Sequence, residues 1–357
     1  LTDYPAHDEF EISVFGGGYG ESISVHIGDG EWVIIDSCLE PTSGQPAAIE
    51  YLESIGVDVS QQVVLIVVTH WDDDHIRGMA NVVEQCTGAK VAISAALGKK
   101  EVLSMVAEQT SSATATGSGV DELREILELC RNTRPPILAK ANQLLYAPSG
   151  SSPPMIRALS PSDDACFRSF ETLIEQATSQ QIAVKRRYRA PEGPNGASVA
   201  SYIDSLGLHV LLGADLEISR NDFTGWNDVV RSANPHSQAS LVKVPHHGSR
   251  TGHDQVMWDV LVTNDSFAIV APWIRGGRGL PTEDDLVRLK TLASKVYVTS
   301  LPQSRRIRRG AEVATLLRRI HARPLRSIKG WGQVRSRCKL GSSSWNISLF
   351  GDAFEVN

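Results

Sequence analysis

Apolar and polar positions alternate through FEISVF at 10 to 15 and SISVHI at 22 to 27, and a third short run, EWVIIDS at 31 to 37, follows. The glycine-rich turns GGGYGE and GDG separate them, so the opening predicts short strands joined as hairpins. The pattern then changes. AAIEYLESIG at 47 to 56 carries apolar residues at helical spacing and stops at a glycine, while QQVVLIVVTH is a continuous apolar run that predicts a buried strand ending at His70. HIRGMANVVEQC resumes the helical period. Strand, ligand-rich loop, helix is the order of an α/β protein whose site lies beyond the carboxyl ends of its strands.

Between about 98 and 190 the regularity weakens. Helices are predicted at 121 to 131 and 165 to 181, but TSSATATGSG and YAPSGSSPP read as loops, and the stretch is expected to be a helical and loop insertion or cover over the site. From Ala197 the strand pattern returns in SVASYID, LHVLLGADLE and SLVKVPHHGS, then in SFAIVAP and KVYVTS with a helix between them. No fixed repeat is visible. The whole, 1 to 357, is expected to form one domain with two similar halves.

Composition narrows the classes. Apolar residues at 41% and charged residues at 21% are those of an ordinary globular chain and exclude wholesale disorder. The opening has no basic stretch followed by an apolar core, and the longest apolar run, VVLIVV, is too short to cross a bilayer, so a cytoplasmic protein is expected. Five scattered cysteines without a CxxC pair read as small buried hydrophobes, leaving any metal to other ligands. The net charge of −6 hides a basic segment at about 301 to 340, where twelve Lys or Arg, among them Arg305, Arg306, Arg308 and Arg309, face one acid, Glu312. Such a tract, with the smaller KRRYR at 185 to 189, suggests nucleic acid as partner; the alternative is a solvated face that pairs with the acidic body.

Four groups of candidate ligands fall at predicted strand ends: His70 with Asp72, Asp73, Asp74 and His75; Asn195 with Ser198; Asp215; and His246 with His247. Carboxylates crowded into a partly buried turn repel one another and lose hydration, which makes physical sense where a divalent cation supplies the missing charge. The spacing lets His70, Asp72, Asp74 and His75 point from one loop towards two adjacent ions, with Asp73 left as a spacer free to cap the next helix.

The string His70, Asp72, Asp74, His75 resembles the HxHxDH signature of the metallo-β-lactamase fold, in the variant HxDxDH. FGGGYGESISVHIGDGEWVIIDS resembles that fold's opening strands, LLGADLE its bridging-aspartate motif and KVPHHGS its last histidine motif. Among such proteins the chain looks most like soluble relatives of the metallo-β-lactamase-like domain of ComEC-type DNA-uptake proteins. The resemblance implies a four-layer αββα sandwich and two divalent ions, zinc or manganese. By position, His70 and Asp72 would hold the first ion and Asp74 and His75 the second, with Asp215 bridging. His246 would complete the second ion's shell and His247 would be a supporting partner or proton donor, the choice of ligand within the pair staying open. Asn195 stands where the family has a further histidine, and Asn195, Ser198 and Ser249 are possible metal or substrate contacts.

The implied chemistry is hydrolysis, with Asp74, Asp215 and His247 as catalytic residues and a phosphodiesterase or nuclease as the leading activity. A small-molecule hydrolase of the same fold, acting on a lactone, thioester, β-lactam or phosphoester, is the first alternative. A non-catalytic, metal-stabilised binding module is the second.

Overall fold

A computed structural model describes residues 3–97, 119–131, 134–148, 154–169, 194–233, 237–275, 278–300, 330–342 and 344–357. The alternating opening forms β1 (Glu9–Gly16), β2 (Glu21–His26) and β3 (Trp32–Ile35), paired antiparallel. To β3 are added, in parallel, β4 (Val63–Val68), β5 (Lys90–Ser94) and β6 (Ile137–Ala139). The second sheet is built likewise. Antiparallel β7 (Leu144–Tyr146), β8 (Met155–Ala158), β9 (Ser201–Ser205) and β10 (Leu208–Leu212) lead into β11 (Ala239–Lys243), β12 (Val262–Val270) and β15 (Lys295–Val298), all parallel to β10. A small hairpin, β13 (Trp273–Arg275) with β14 (Arg278–Leu280), stands apart. The chain's end is shared out: β16 (Gly332–Lys339) and β17 (Asn346–Gly351) extend the first sheet beside β1, and β18 (Phe354–Glu355) edges the second.

Side-chain parity divides the core into layers. In β4, Leu65 and Val67 join Phe10, Ile12, Val210 and Leu241 between the sheets, while Ile66 and Val68 face outward. The outward face is covered by α1 (Ala47–Ser54), α2 (Val59–Gln62), α3 (Asp73–Ile76), α4 (Met79–Gln85) and α5 (Gly119–Cys130). On the second sheet the cover is α6 (Gly225–Ser232), α7 (Gln255–Leu261) and α8 (Glu283–Leu292). A strand buried on both faces reads as an unbroken apolar run, which is why VVLIVV shows no alternation. The result is the four-layer αββα sandwich expected from sequence.

Three differences matter for the site. The helix expected from His75 onward is two helices, because Gly78 takes φ 79° and a Cβ there would lie 2.6 Å from Leu39 Cδ2. Within 98 to 190, α5 packs on α4 and β6, β7 and β8 extend both sheets; the chain is helical over 163–169, and the rest of the helix expected at 165 to 181 lies outside the described residues. Of the basic tract, Arg335, Arg337 and Lys339 sit on β16 and are paired with acids: Arg335 with Asp3, Arg337 with Glu11 at 2.7 Å, Lys339 with Asp8 at 3.0 Å. The charge-pairing alternative thus describes these three; Arg305, Arg306, Arg308, Arg309 and KRRYR lie outside the described residues.

Candidate metal centre

The parallel strands β3 and β4 end side by side, and the turns that leave them are tied together by one carboxylate. Asp36, in a left-handed conformation (φ 56°) just past β3, accepts from the Thr69 amide at 2.8 Å and the Thr69 hydroxyl at 2.6 Å. Its Oδ2 also lies 2.7 Å from His75 Nδ1, which fixes that ring's orientation and turns Nε2 the other way. His70 Nδ1 is engaged at 2.9 Å by the Thr69 hydroxyl, so its Nε2 is likewise left free. Between them Asp72 occupies the N-cap position of α3 without a side-chain cap bond, and its Oδ2 lies 3.9 Å from His70 Nε2. Asp73 is the spacer: its Oδ1 accepts from the Gly119 amide at 2.7 Å, at the first residue of α5.

The second sheet delivers the opposing groups from the ends of β10 and β11. Gly213 lets the two ends approach, since a Cβ there would lie 2.5 Å from Pro245 Cγ. Asp215 follows Ala214 (φ 45°), and His246 and His247 take φ 46° and 53°, torsions that L-residues adopt only where the surroundings enforce them. His247 Nδ1 donates to the Ala271 carbonyl at 2.9 Å, which aims Nε2 to within 3.2 Å of Asp74 Oδ2 and 3.3 Å of Asp215 Oδ2. Asp215 also lies 3.3 Å from His75 Nε2 and 4.0 Å from His70 Nε2, so one carboxylate touches both groups of ligands.

Burial and charge set the electrostatics. His70, Asp74, His75, Asp215 and His247 are all buried, with Asp72 half-exposed. Burial and the neighbouring His75 push His70 down to about 4. Burial and Asp74 push Asp72 up to about 7. Burial alone would raise Asp74 and Asp215, but the hydrogen bond from His247 and the charges of His75 and His247 hold Asp74 at about 2 and Asp215 well below the carboxylate range. Conversely, burial is outweighed at His75 by Asp215, Glu21 and Asp36, and at His247 by Asp215 and its hydrogen bonds, so His75 is raised well above the imidazole range and His247 to about 10.

This donor set fits divalent cations. His70 Nε2, His75 Nε2 and Asp215 Oδ1 are buried without a formed hydrogen bond among the described residues, a costly arrangement unless something else satisfies them. Among the described residues five carboxylates meet around the centre, Glu21, Asp36, Asp72, Asp74 and Asp215, against one ammonium, Lys243. Metal binding would displace the protons of His75 and His247, and the four negative charges then left would be cancelled by two divalent ions. Three imidazole nitrogens and three carboxylates make a set open to both zinc and manganese.

The residues expected from sequence divide cleanly. His70, Asp72, Asp74, His75 and Asp215 come together, and the histidine that joins them is His247. His246 turns away: its Nδ1 lies 2.8 Å from Glu217 and from Thr251 Oγ1, and its Nε2 lies 3.3 Å from Asn195. Ser249 belongs with it, at 3.1 Å from His246 Nδ1. Asn195 and Ser198 adjoin the Thr69 turn, Val199 donating to the Thr69 carbonyl at 3.1 Å, and Asn195 Oδ1 and Ser198 Oγ are buried without partners among the described residues. Sequence reasoning missed Glu21, Asp36 and Lys243. For two of them a signal existed: Glu21 shares parity with the inward Ile23 and Val25, and Lys243 with the inward Leu241, so charges occupy positions where alternation demands apolar residues.

Residues 16–111 match the family model described as the metallo-beta-lactamase superfamily. No curated protein matches the chain. Among solved structures, the metallo-beta-lactamase fold protein YhfI from Bacillus subtilis is similar at 13% identity and a TM-score of 0.41, over 82% of this chain and 95% of that one. A metallo-beta-lactamase with a HARLDQ motif from Cronobacter sakazakii is similar at 13% identity and a TM-score of 0.36, over 66% and 75% of the two chains. The matched segment is the one that supplies Glu21, Asp36, His70, Asp72, Asp74 and His75, so it is this part of the chain that is similar to the metallo-beta-lactamase superfamily.

Proposed function

We propose that the chain is a binuclear metal-dependent hydrolase whose substrate is a phosphodiester, with nucleic acid the leading candidate. The observation that carries the hydrolase reading is the convergence of three imidazole Nε2 atoms with Asp72, Asp74 and Asp215, each histidine anchored from behind through Nδ1. In this reading His70 and Asp72 would hold one zinc or manganese ion, Asp74, His75 and His247 would hold the other, and Asp215 would be available to both. Ions so held lower the pKa of water and offset charge on a substrate oxygen.

The chain's own groups do the rest. Asp36 and the Ala271 carbonyl keep His75 and His247 in their ligating tautomer. His246, backed by the Glu217 carboxylate at 2.8 Å and partly exposed, stands outside the ligand set with Ser249 beside it, and it takes the role of proton donor to the leaving group. Resemblance to the ComEC-type domain and the run Arg305, Arg306, Arg308 and Arg309 support a nucleic-acid substrate. The pairing of Arg335, Arg337 and Lys339 with Asp3, Glu11 and Asp8 removes three cations from that tract and favours a second reading, a hydrolase of small phosphoesters or other small esters such as lactones.

A panel of single- and double-stranded DNA, RNA, cyclic nucleotides and a small lactone, each with Mn²⁺ or Zn²⁺, tests both readings. Turnover that chelator abolishes, that added ion restores and that Asp74→Ala eliminates is the expected result. EDTA-resistant turnover, or full activity in Asp74→Ala, contradicts metal hydrolysis altogether; turnover confined to the lactone selects the second reading.

A further inference from the structure

Glu21 begins β2 in the first sheet and Lys243 ends β11 in the second, and both are buried, at 1% and 0% exposure. Their strand parities aim both into the layer between the sheets, where Lys243 Nζ lies 2.5 Å from Glu21 Oε1 and donates to the Ala214 carbonyl at 3.2 Å. Ala214 precedes Asp215, so one ammonium is bonded to the turn that presents the bridging carboxylate and to a second carboxylate beside it. Among the described residues Glu21 is the sole carboxylate within 4.0 Å of that ammonium.

Glu21 is close enough to be a ligand itself. Its carboxylate lies with ligand atoms of His75, Asp215 and His247 inside a 4.8 Å span, and its Oε2 is buried with no hydrogen bond among the described residues. Yet it sits behind the rings: it approaches Nδ1 of His247 at 3.6 Å and Nδ1 of His75 at 3.9 Å, whereas Asp74 and Asp215 approach Nε2. A buried carboxylate this near to atoms that would hold divalent ions would be drawn to such ions unless another cation held it.

We propose that Lys243 is a positioning residue of the metal centre: its ammonium takes Glu21 out of the ligand set and leaves the ions to Asp72, Asp74 and Asp215. The inference rests on the reading of the centre as a metal site. It also fits the charge count, since Lys243 matches Glu21 and leaves Asp36, Asp72, Asp74 and Asp215 as the carboxylates of the centre without an ammonium partner among the described residues. Loss of the lysine frees Glu21 to compete for an ion; loss of both leaves the site as before.

Cobalt substitution reads this directly, because the visible band of Co²⁺ reports the number and type of its ligands. Wild type, Lys243→Arg, Lys243→Met and Glu21→Gln/Lys243→Met are compared by Co²⁺ absorption and metal content, with melting temperature in chelator. Lys243→Met is expected to shift the cobalt band and, in chelator, to melt about 10 °C below wild type, the scale of a broken buried pair. Lys243→Arg and the double variant are expected to keep the wild-type band, and the double variant to recover most of the melting temperature. A wild-type band in Lys243→Met, or a shifted band in the double variant, overturns the proposal; the double variant and Lys243→Arg keep this decisive if Lys243→Met does not fold. Absence of any cobalt band in wild type would instead overturn the metal reading, and the proposal with it.

Discussion

His246 and His247 are neighbours in sequence with closed, left-handed torsions, and their rings part company. One meets Glu217, Thr251 and Asn195; the other meets Asp74, Asp215 and the Ala271 carbonyl. Nothing in the segment HHGS distinguishes the two, because the choice is made by the partners that face each ring, and those of His247 lie 24 to 173 residues away in the chain. His70, Asp72, Asp74 and His75 were legible since all four fall in one short stretch of sequence, from the turn after β4 into α3, whose spacing encodes their directions. Asp36 was not, because a lone aspartate after an apolar strand looks like any turn residue until Thr69 and His75 are seen to meet it. The two histidines make opposite predictions. His247→Ala should lose about one ion per chain, whereas His246→Ala should keep its metal and lose about 10²-fold or more in kcat. Metal analysis beside steady-state kinetics checks both, and equal metal loss in the two variants would contradict the division of roles.

Strands were the most legible elements and helix ends the least. VVLIVV announced a strand buried on both faces, and every hairpin of the opening was signalled by its glycines. The break between α3 and α4 was hidden, since HIRGMANVVEQC keeps a helical period across it and only the packing of Leu39 and Pro46 against Gly78 requires the left-handed turn. Gly78→Ala should therefore cost about 1–3 kcal/mol, read as a lower urea midpoint with unchanged slope. An unaltered midpoint would mean that the turn tolerates a side chain. Likewise β16 was obscured by its charges: Arg335 and Arg337 read as part of a basic tract, and their acidic partners, Asp3 and Glu11, come from the other end of the chain.

At the scale of the molecule, two sheets built alike bring their parallel strand ends to one centre, each contributing part of a ligand set that neither holds alone. The first sheet also carries a pH sensitivity away from that centre. His26, fully buried on β2, donates through Nδ1 to the Glu9 carbonyl at 2.7 Å and accepts from the Gly30 amide at 3.0 Å, so the fold needs it neutral. Burial holds it at about 4, below the ordinary imidazole value of 6.5. The unfolded chain thus takes up a proton first as pH falls, and stability present above about pH 6.5 is lost towards pH 4, by up to about 3 kcal/mol. Melting curves of wild type and His26→Gln should converge over that window; parallel curves would remove His26 from the account. The claim on which the functional reading stands is tested most directly by anomalous diffraction at the zinc and manganese edges from crystals of the native protein. Two peaks per chain are predicted, one beside His70 and Asp72, the other beside Asp74, His75 and His247, with Asp215 between them. No peak in this centre, or a peak held by His246 with His247 free, would contradict it.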